Sequence, residues 1–130
     1  MITDVNEIGT IVIDASIKVH SYLGPGLLES VYEIVLAREL ELRGLVVERQ
    51  VPTPIRYEDL VFDEGFRADI IVNEKVILEL KSVEKINNVY PKQLFTYLKL
   101  TGLRLGYLLN FGAPLMKEGI NRIVCGIKDR

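Results

Sequence analysis

Apolar residues recur every three or four positions in the first third of the chain. Within residues 5–22 the recurring apolar positions lie on one helical face: Val5, Ile8, Val12, Ala15 and Val19. The stretch LGPG at 23–26 interrupts this pattern, and a second helix is predicted over residues 26–43, ending at Gly44. The N-terminal part of the chain is therefore predicted to form a helical hairpin.

After residue 44 the pattern changes to short β-rich segments separated by turns. The predicted strands are LVVERQV, PIRYEDL, FRADIIVN, KVILELKSV, RLGYLLNF and INRIVCGI. Pro52 and Pro54 separate the first two strands and exclude a helix there. A third helix, PKQLFTYLKLTG, lies between the fourth and fifth strands and ends at Gly102. The order ααββββαββ predicts one α/β domain over residues 1–130, with a mixed sheet.

Two charged residues lie on one face of an otherwise apolar strand. In VILELKSV, strand alternation places Glu79 and Lys81 on the same face. If the preceding hairpin turns about Glu74, Asp69 lies opposite Glu79, with the two Cβ atoms about 5 Å apart. Carboxylates so close repel each other, and a hard divalent cation such as Mg²⁺ would compensate. Lys81 would then polarise a water or a phosphate, so the pattern predicts a metal-dependent hydrolytic site.

A solvated ion pair on an edge strand is the alternative interpretation of Glu79 and Lys81, and it is the commoner one for an isolated E-x-K pattern. The apolar flanks of the strand and the matching position of Asp69 favour the site. A shift of one residue in strand register would place Asp69 and Glu79 on opposite faces. The register is therefore the structural test of the prediction.

Asp69, followed nine residues later by Glu79-Leu80-Lys81, resembles the core motif of the PD-(D/E)XK nuclease superfamily. GLLESVY at 26–32 is similar to the signature of the small proteins of the GxxExxY family. Q-x-x-x-Y at 93–97 and the NFG stretch extend the resemblance over nearly the whole chain. The resemblance implies a restriction-endonuclease-like fold, in which a mixed sheet carries the acidic residues and helices flank it.

The resemblance also implies roles for individual residues. The implied ligands of Mg²⁺ or Mn²⁺ are Asp69, Glu79, the Leu80 carbonyl and, completing or supporting the site, Glu29. Lys81 would assist water activation and charge stabilisation, and Gln93 with Tyr97 would contact the site or the nucleic acid. Relatives often carry a histidine three residues before the glutamine, a position that Tyr90 occupies here.

Several of these residues also have structural explanations. An acidic residue in a first helical turn is favoured by the helix dipole, which would explain Glu29. Glu29 shares a helical stripe with Tyr32, however, and the stripe is predicted to face the interior, where a carboxylate needs a partner. Tyr97 can equally be a core aromatic. Four basic residues could line a phosphate groove or be ordinary surface charge: Arg67, Lys85, Lys92 and Lys99.

Composition narrows the function classes. The net charge of −2, from 16 basic and 18 acidic residues, argues against coating nucleic acid by bulk charge but permits a local groove. One cysteine, Cys125, excludes an intrachain disulfide, and a single histidine, His20, makes a Cys/His zinc site implausible. No apolar run has the length of a membrane span and no signal peptide is recognisable, which predicts a cytoplasmic protein.

Together these observations predict a metal-dependent nuclease acting on DNA or RNA. A catalytically inactive nuclease-like module that binds nucleic acid or a protein partner is the second hypothesis. A structural domain in a homodimer, with the E-x-K strand buried across an interface, is the third.

Overall fold

The structure, a computed structural model, describes residues 1–126 of the chain. This part contains three α-helices and a five-stranded mixed sheet. The helices are α1 (Val5–Leu23), α2 (Glu29–Leu42) and α3 (Val89–Thr101). The strands are β1 (Val47–Tyr57), β2 (Leu60–Val72), β3 (Val76–Lys81), β4 (Leu105–Asn110) and β5 (Ile120–Val124). A 3-10 turn at Met116–Glu118 precedes β5.

The strands follow one another in the sheet in the order β1-β2-β3-β4-β5. Only β3 and β4 pair in parallel among these strands, and α3 provides the crossover between them. The helices α1 and α2 pack on one face of the sheet, where the core includes Ile8, Leu36 and Leu78. The helix α3 covers the other face, where Leu94 packs with Ile77. The predicted fold class, a restriction-endonuclease-like mixed sheet flanked by helices, is confirmed.

The two strands predicted on either side of Pro52 and Pro54 form one continuous strand, β1, so the element order is ααβββαββ. β1 lies at the edge of the sheet, where a residue without an N–H group is tolerated. Pro52 pairs in register with Arg67, and the register shifts between Thr53 and Ile55. The last predicted strand ends earlier than expected, at Val124, and its final residue, 127, lies outside the described residues.

The turn between β2 and β3 sets the register of the strands that carry the candidate site. Asn73 and Glu74 have φ values of 50° and 56°, and the Lys75 N–H donates to the Val72 carbonyl. Asn73 also accepts a hydrogen bond from the Val46 N–H through Oδ1, which fixes the turn against the start of β1. The resulting pairs are Val72↔Val76, Ile71↔Ile77 and Ile70↔Leu78, so the predicted register is confirmed.

Candidate active site

Asp69 and Glu79, here called the acidic pair, meet where β2 and β3 separate. The paired positions of the two strands end at Ile70↔Leu78. Beyond this point the Asp69 N–H donates to Glu79 Oε2 at 2.9 Å, and the Leu80 N–H donates to Asp69 Oδ2 at 2.9 Å. Each carboxylate thus bonds to the backbone of the opposite strand. The structure therefore brings together the two carboxylates that alternation and turn position predicted to be neighbours.

Burial makes ionisation of the acidic pair unfavourable. Glu79 is only 8% exposed, and burial, followed by repulsion from Asp69, raises its pKa to about 8. Burial also raises the pKa of Asp69, while the hydrogen bond from the Leu80 N–H acts in the opposite direction. The charge of Lys81 lowers the pKa of both carboxyl groups but does not cancel the effect of burial. The pair carries an electrostatic cost that a cation would relieve.

Lys81 follows Glu79 on the same face at the end of β3 and is half-buried. Its Nζ atom lies over the ring of Tyr90, 4.2 Å from the ring centroid. The ammonium group therefore contacts an aromatic face at the start of α3 while acting electrostatically on the acidic pair.

Glu29 is exposed, so the expectation that it faces the interior is wrong. The predicted helix over residues 26–43 begins only at Glu29, and this shorter start leaves the carboxylate at the first helical position. The charge of Glu29 nevertheless raises the pKa of Asp69, which indicates that it lies on the same side of the molecule as the acidic pair.

The loop that precedes Glu29 is tied to the end of β3. The Tyr32 hydroxyl donates to the Gly24 carbonyl at 2.5 Å and accepts from the Leu27 N–H at 3.1 Å. The Ser82 hydroxyl, one residue after Lys81, donates to the Leu27 carbonyl at 2.6 Å. These bonds give the Tyr position of GLLESVY a structural purpose, because they hold the start of α2 beside the site.

Glu33 is a further acidic residue near the site, and the sequence prediction missed it. It is buried, and its charge raises the pKa of both members of the acidic pair. Arg49 donates to Glu33 Oε2 through Nε at 3.1 Å and Nη2 at 2.9 Å, and Gln50 donates to Oε1 at 2.6 Å. The spacing of four residues after Glu29 on the same helix was the available signal.

Gln50 has a left-handed backbone conformation in the middle of β1, with a φ value of 51°. Because Arg49 pairs with Ile70 and Val51 pairs with Ala68, Gln50 falls opposite Asp69. Such a conformation is unfavourable for a residue with a side chain and occurs often at functional sites. Here it allows the Gln50 amide to reach Glu33.

Tyr97 lies close to the acidic pair, and Gln93 lies one helical turn before it. The Tyr97 ring stacks on Phe66 with a centroid separation of 3.8 Å. Burial and the charges of Glu79 and Asp69 raise the Tyr97 pKa. Gln93 is exposed on α3. Tyr97 is therefore both a packed aromatic and a neighbour of the site, whereas Gln93 faces solvent.

The model of the PD-(D/E)XK nuclease superfamily matches residues 6–123, which is most of the chain and includes the acidic pair and Lys81. The chain belongs to the PD-(D/E)XK nuclease superfamily. No curated protein matches the chain significantly. PD-(D/E)XK nucleases generally use divalent metal ions, and the family suggests a nucleic acid as substrate.

The donor atoms at this PD-(D/E)XK site suit a hard divalent cation. Within residues 1–126 no three His, Cys, Asp or Glu side chains form a group that could hold a metal ion. A site with two carboxylates and a backbone carbonyl does not require such a group. The carboxylates of Asp69 and Glu79 and the carbonyl of Leu80 are oxygen donors, the type that Mg²⁺ and Mn²⁺ prefer. The donor set and the repulsion within the acidic pair therefore fit a divalent cation.

The structure also describes the surroundings of His20, Cys125 and Arg67. His20 is buried and hydrogen-bonds the Ala113 carbonyl at 2.8 Å, and Cys125 is half-buried. Arg67 pairs with Glu64 at 2.7 Å. Across the described residues, no helix combines the length and apolar character needed to cross a bilayer.

Proposed function

We propose that this member of the superfamily is an Mg²⁺- or Mn²⁺-dependent nuclease that hydrolyses phosphodiester bonds in DNA or RNA. The acidic pair carries the proposal, because two neighbouring carboxylates with raised pKa values gain most from a bound cation. The Asp69 and Glu79 carboxylates and the Leu80 carbonyl would hold the cation. Glu29 would support it from the exposed start of α2.

The side chains around the acidic pair supply the remaining chemistry. When bound, the cation would offset negative charge on the scissile phosphate. The Lys81 ammonium donates hydrogen bonds to a phosphate oxygen and to the attacking water, which stabilises the charge that develops in the transition state. Gln93 and Tyr97 orient the nucleic acid, with the Tyr97 ring held by its stack on Phe66.

Calorimetric titration with Mg²⁺ and Mn²⁺ tests the metal site directly. Saturable binding is expected for the wild-type protein and for Asp63→Ala, which removes an exposed carboxylate from the same strand. Binding should be lost in Asp69→Ala. Binding of equal affinity in Asp69→Ala would contradict the assignment.

Cleavage of labelled DNA and RNA then tests the activity. Lys81→Met keeps the length of the side chain but removes the charge, so it should lower kcat while metal binding persists. Unchanged kcat in Lys81→Met would contradict the role of Lys81.

A catalytically inactive module that binds nucleic acid or a protein partner is the second candidate, favoured by Tyr90 at the position where relatives often have histidine. This candidate requires nucleic-acid or partner binding that survives Lys81→Met, with no turnover under either metal. Burial of the E-x-K strand across a homodimer interface is not needed, because β3 already pairs with β2 and β4 within one chain and is buried there.

A further inference from the structure

We propose that Tyr90 is a positioning residue that holds the Lys81 ammonium beside the acidic pair. The Nζ atom lies 4.2 Å from the ring centroid, within the range in which the negative face of an aromatic ring attracts a cation. The contact itself is a property of the fold. Its importance for catalysis rests on the proposed nuclease function.

The position of the Tyr90 ring is set by the turn that begins α3. The Tyr90 N–H donates to the Asn87 carbonyl at 3.1 Å, and Asn87 Oδ1 accepts from the Val89 N–H at 2.9 Å. The ring is half-buried and packs against the core cluster beneath α3. Backbone hydrogen bonds and core packing thus support the ring independently of Lys81.

Lys81 needs such a support because it is the last residue of β3 and has a long, flexible side chain. Lys81 acts electrostatically on two nearby carboxyl groups, yet it takes part in none of the ion pairs formed within residues 1–126. A direct ion pair would occupy the ammonium hydrogens with carboxylate oxygens. An aromatic face attracts the positive charge and leaves the ammonium able to donate to a phosphate.

The contact can be measured without any substrate. In protein labelled with ¹³C-lysine, the Tyr90 ring current should move the Lys81 methylene signals upfield, and Lys81→Met assigns them. The upfield signals should persist in Tyr90→Phe, which keeps the ring, and move to the position of exposed lysines in Tyr90→Leu. Tyr90→Met is a second variant without a ring. Tyr22→Leu, which removes a tyrosine that is 89% exposed, is the control and should change nothing.

Kinetics test whether the contact matters for the reaction. Loss of the ring should lower kcat about two- to five-fold, the range expected for a partly exposed cation–π contact, while KM and divalent affinity stay unchanged. Tyr90→Phe should restore kcat.

The outcomes separate the two proposals. Lys81 signals that are identical in the wild type, Tyr90→Leu and Tyr90→Met would overturn the contact. Signals that move while kcat stays constant would overturn the positioning role. A wild-type protein that cleaves neither DNA nor RNA with either metal would count against the nuclease function, and the lysine spectra would still decide the contact.

Discussion

Replacing Glu79 by glutamine should stabilise the metal-free protein at alkaline pH. Burial and repulsion from Asp69 raise the Glu79 pKa from its usual 4.5 to about 8 in the folded state. The folded protein therefore retains a proton on Glu79 in a pH range where the unfolded chain has lost it. The resulting stabilisation is complete below pH 4.5 and disappears as the pH rises through about 8.

The size of the effect follows from the difference between the two pKa values. At about 1.4 kcal/mol for each pKa unit, ionising Glu79 would remove up to about 5 kcal/mol of unfolding free energy. The ionisation of Asp69 and that of Glu79 affect each other, so the loss of unfolding free energy is shared between the two carboxyl groups. A gain of about 2–4 kcal/mol is therefore expected for Glu79→Gln above the folded-state pKa. Glutamine can still accept the hydrogen bond from the Asp69 N–H.

Urea unfolding in the presence of a chelator, at about pH 5 and about pH 8.5, measures this difference. The wild type should lose stability between the two pH values, whereas Glu79→Gln should lose much less. Glu84→Gln, at an exposed position after β3, is the matched control and should follow the wild type. An equal pH dependence in the wild type and Glu79→Gln would refute the reasoning. Added Mg²⁺ should stabilise the wild type more than Glu79→Gln, since ligand binding to the folded state raises its stability.

Three further substitutions test the framework around the site by thermal or urea unfolding. Gly112→Ala would place a Cβ atom 2.3 Å from the Val83 carbonyl oxygen, and a loss of about 1–3 kcal/mol is expected. Tyr32→Phe removes the hydroxyl that binds the α1–α2 loop twice, which should cost about 1–3 kcal/mol. Arg49→Met leaves the buried Glu33 carboxylate without its ion pair, and it should lower the free energy of unfolding by about 1–3 kcal/mol. Most of this stability should be regained in the double variant that also carries Glu33→Gln.

The position of the acidic pair could be predicted from the sequence because it depends on local rules. Strand alternation places Glu79 and Lys81 on one face, and the turn at Asn73 and Glu74 sets the register of β2 against β3. Neither rule requires knowledge of distant contacts. The same locality explains why α1, with its regular apolar spacing, was predicted almost to its ends.

The structural features that the sequence did not predict depend on tertiary contacts. Prolines usually interrupt strands, but β1 lies at the sheet edge, which cannot be known before the strand order is known. Glu29 was expected to face the interior, but α2 begins only at that residue because the preceding loop is bound by Tyr32 and Ser82. The approach of Glu33 to the acidic pair depends on how α2 packs across the sheet, and helical spacing alone does not give that.

The balance of charge at the site bears on both leading functional hypotheses. Glu33 is paired with Arg49, which leaves Lys81 as the nearby cation that lowers the pKa of both Asp69 and Glu79. A nucleic acid approaching this face would bring further negative charge towards the acidic pair and repel its ionised form. A divalent cation would relieve that repulsion whether the bound strand is cut or only held. Metal binding alone therefore does not distinguish a nuclease from an inactive module, whereas turnover that depends on the Lys81 charge does.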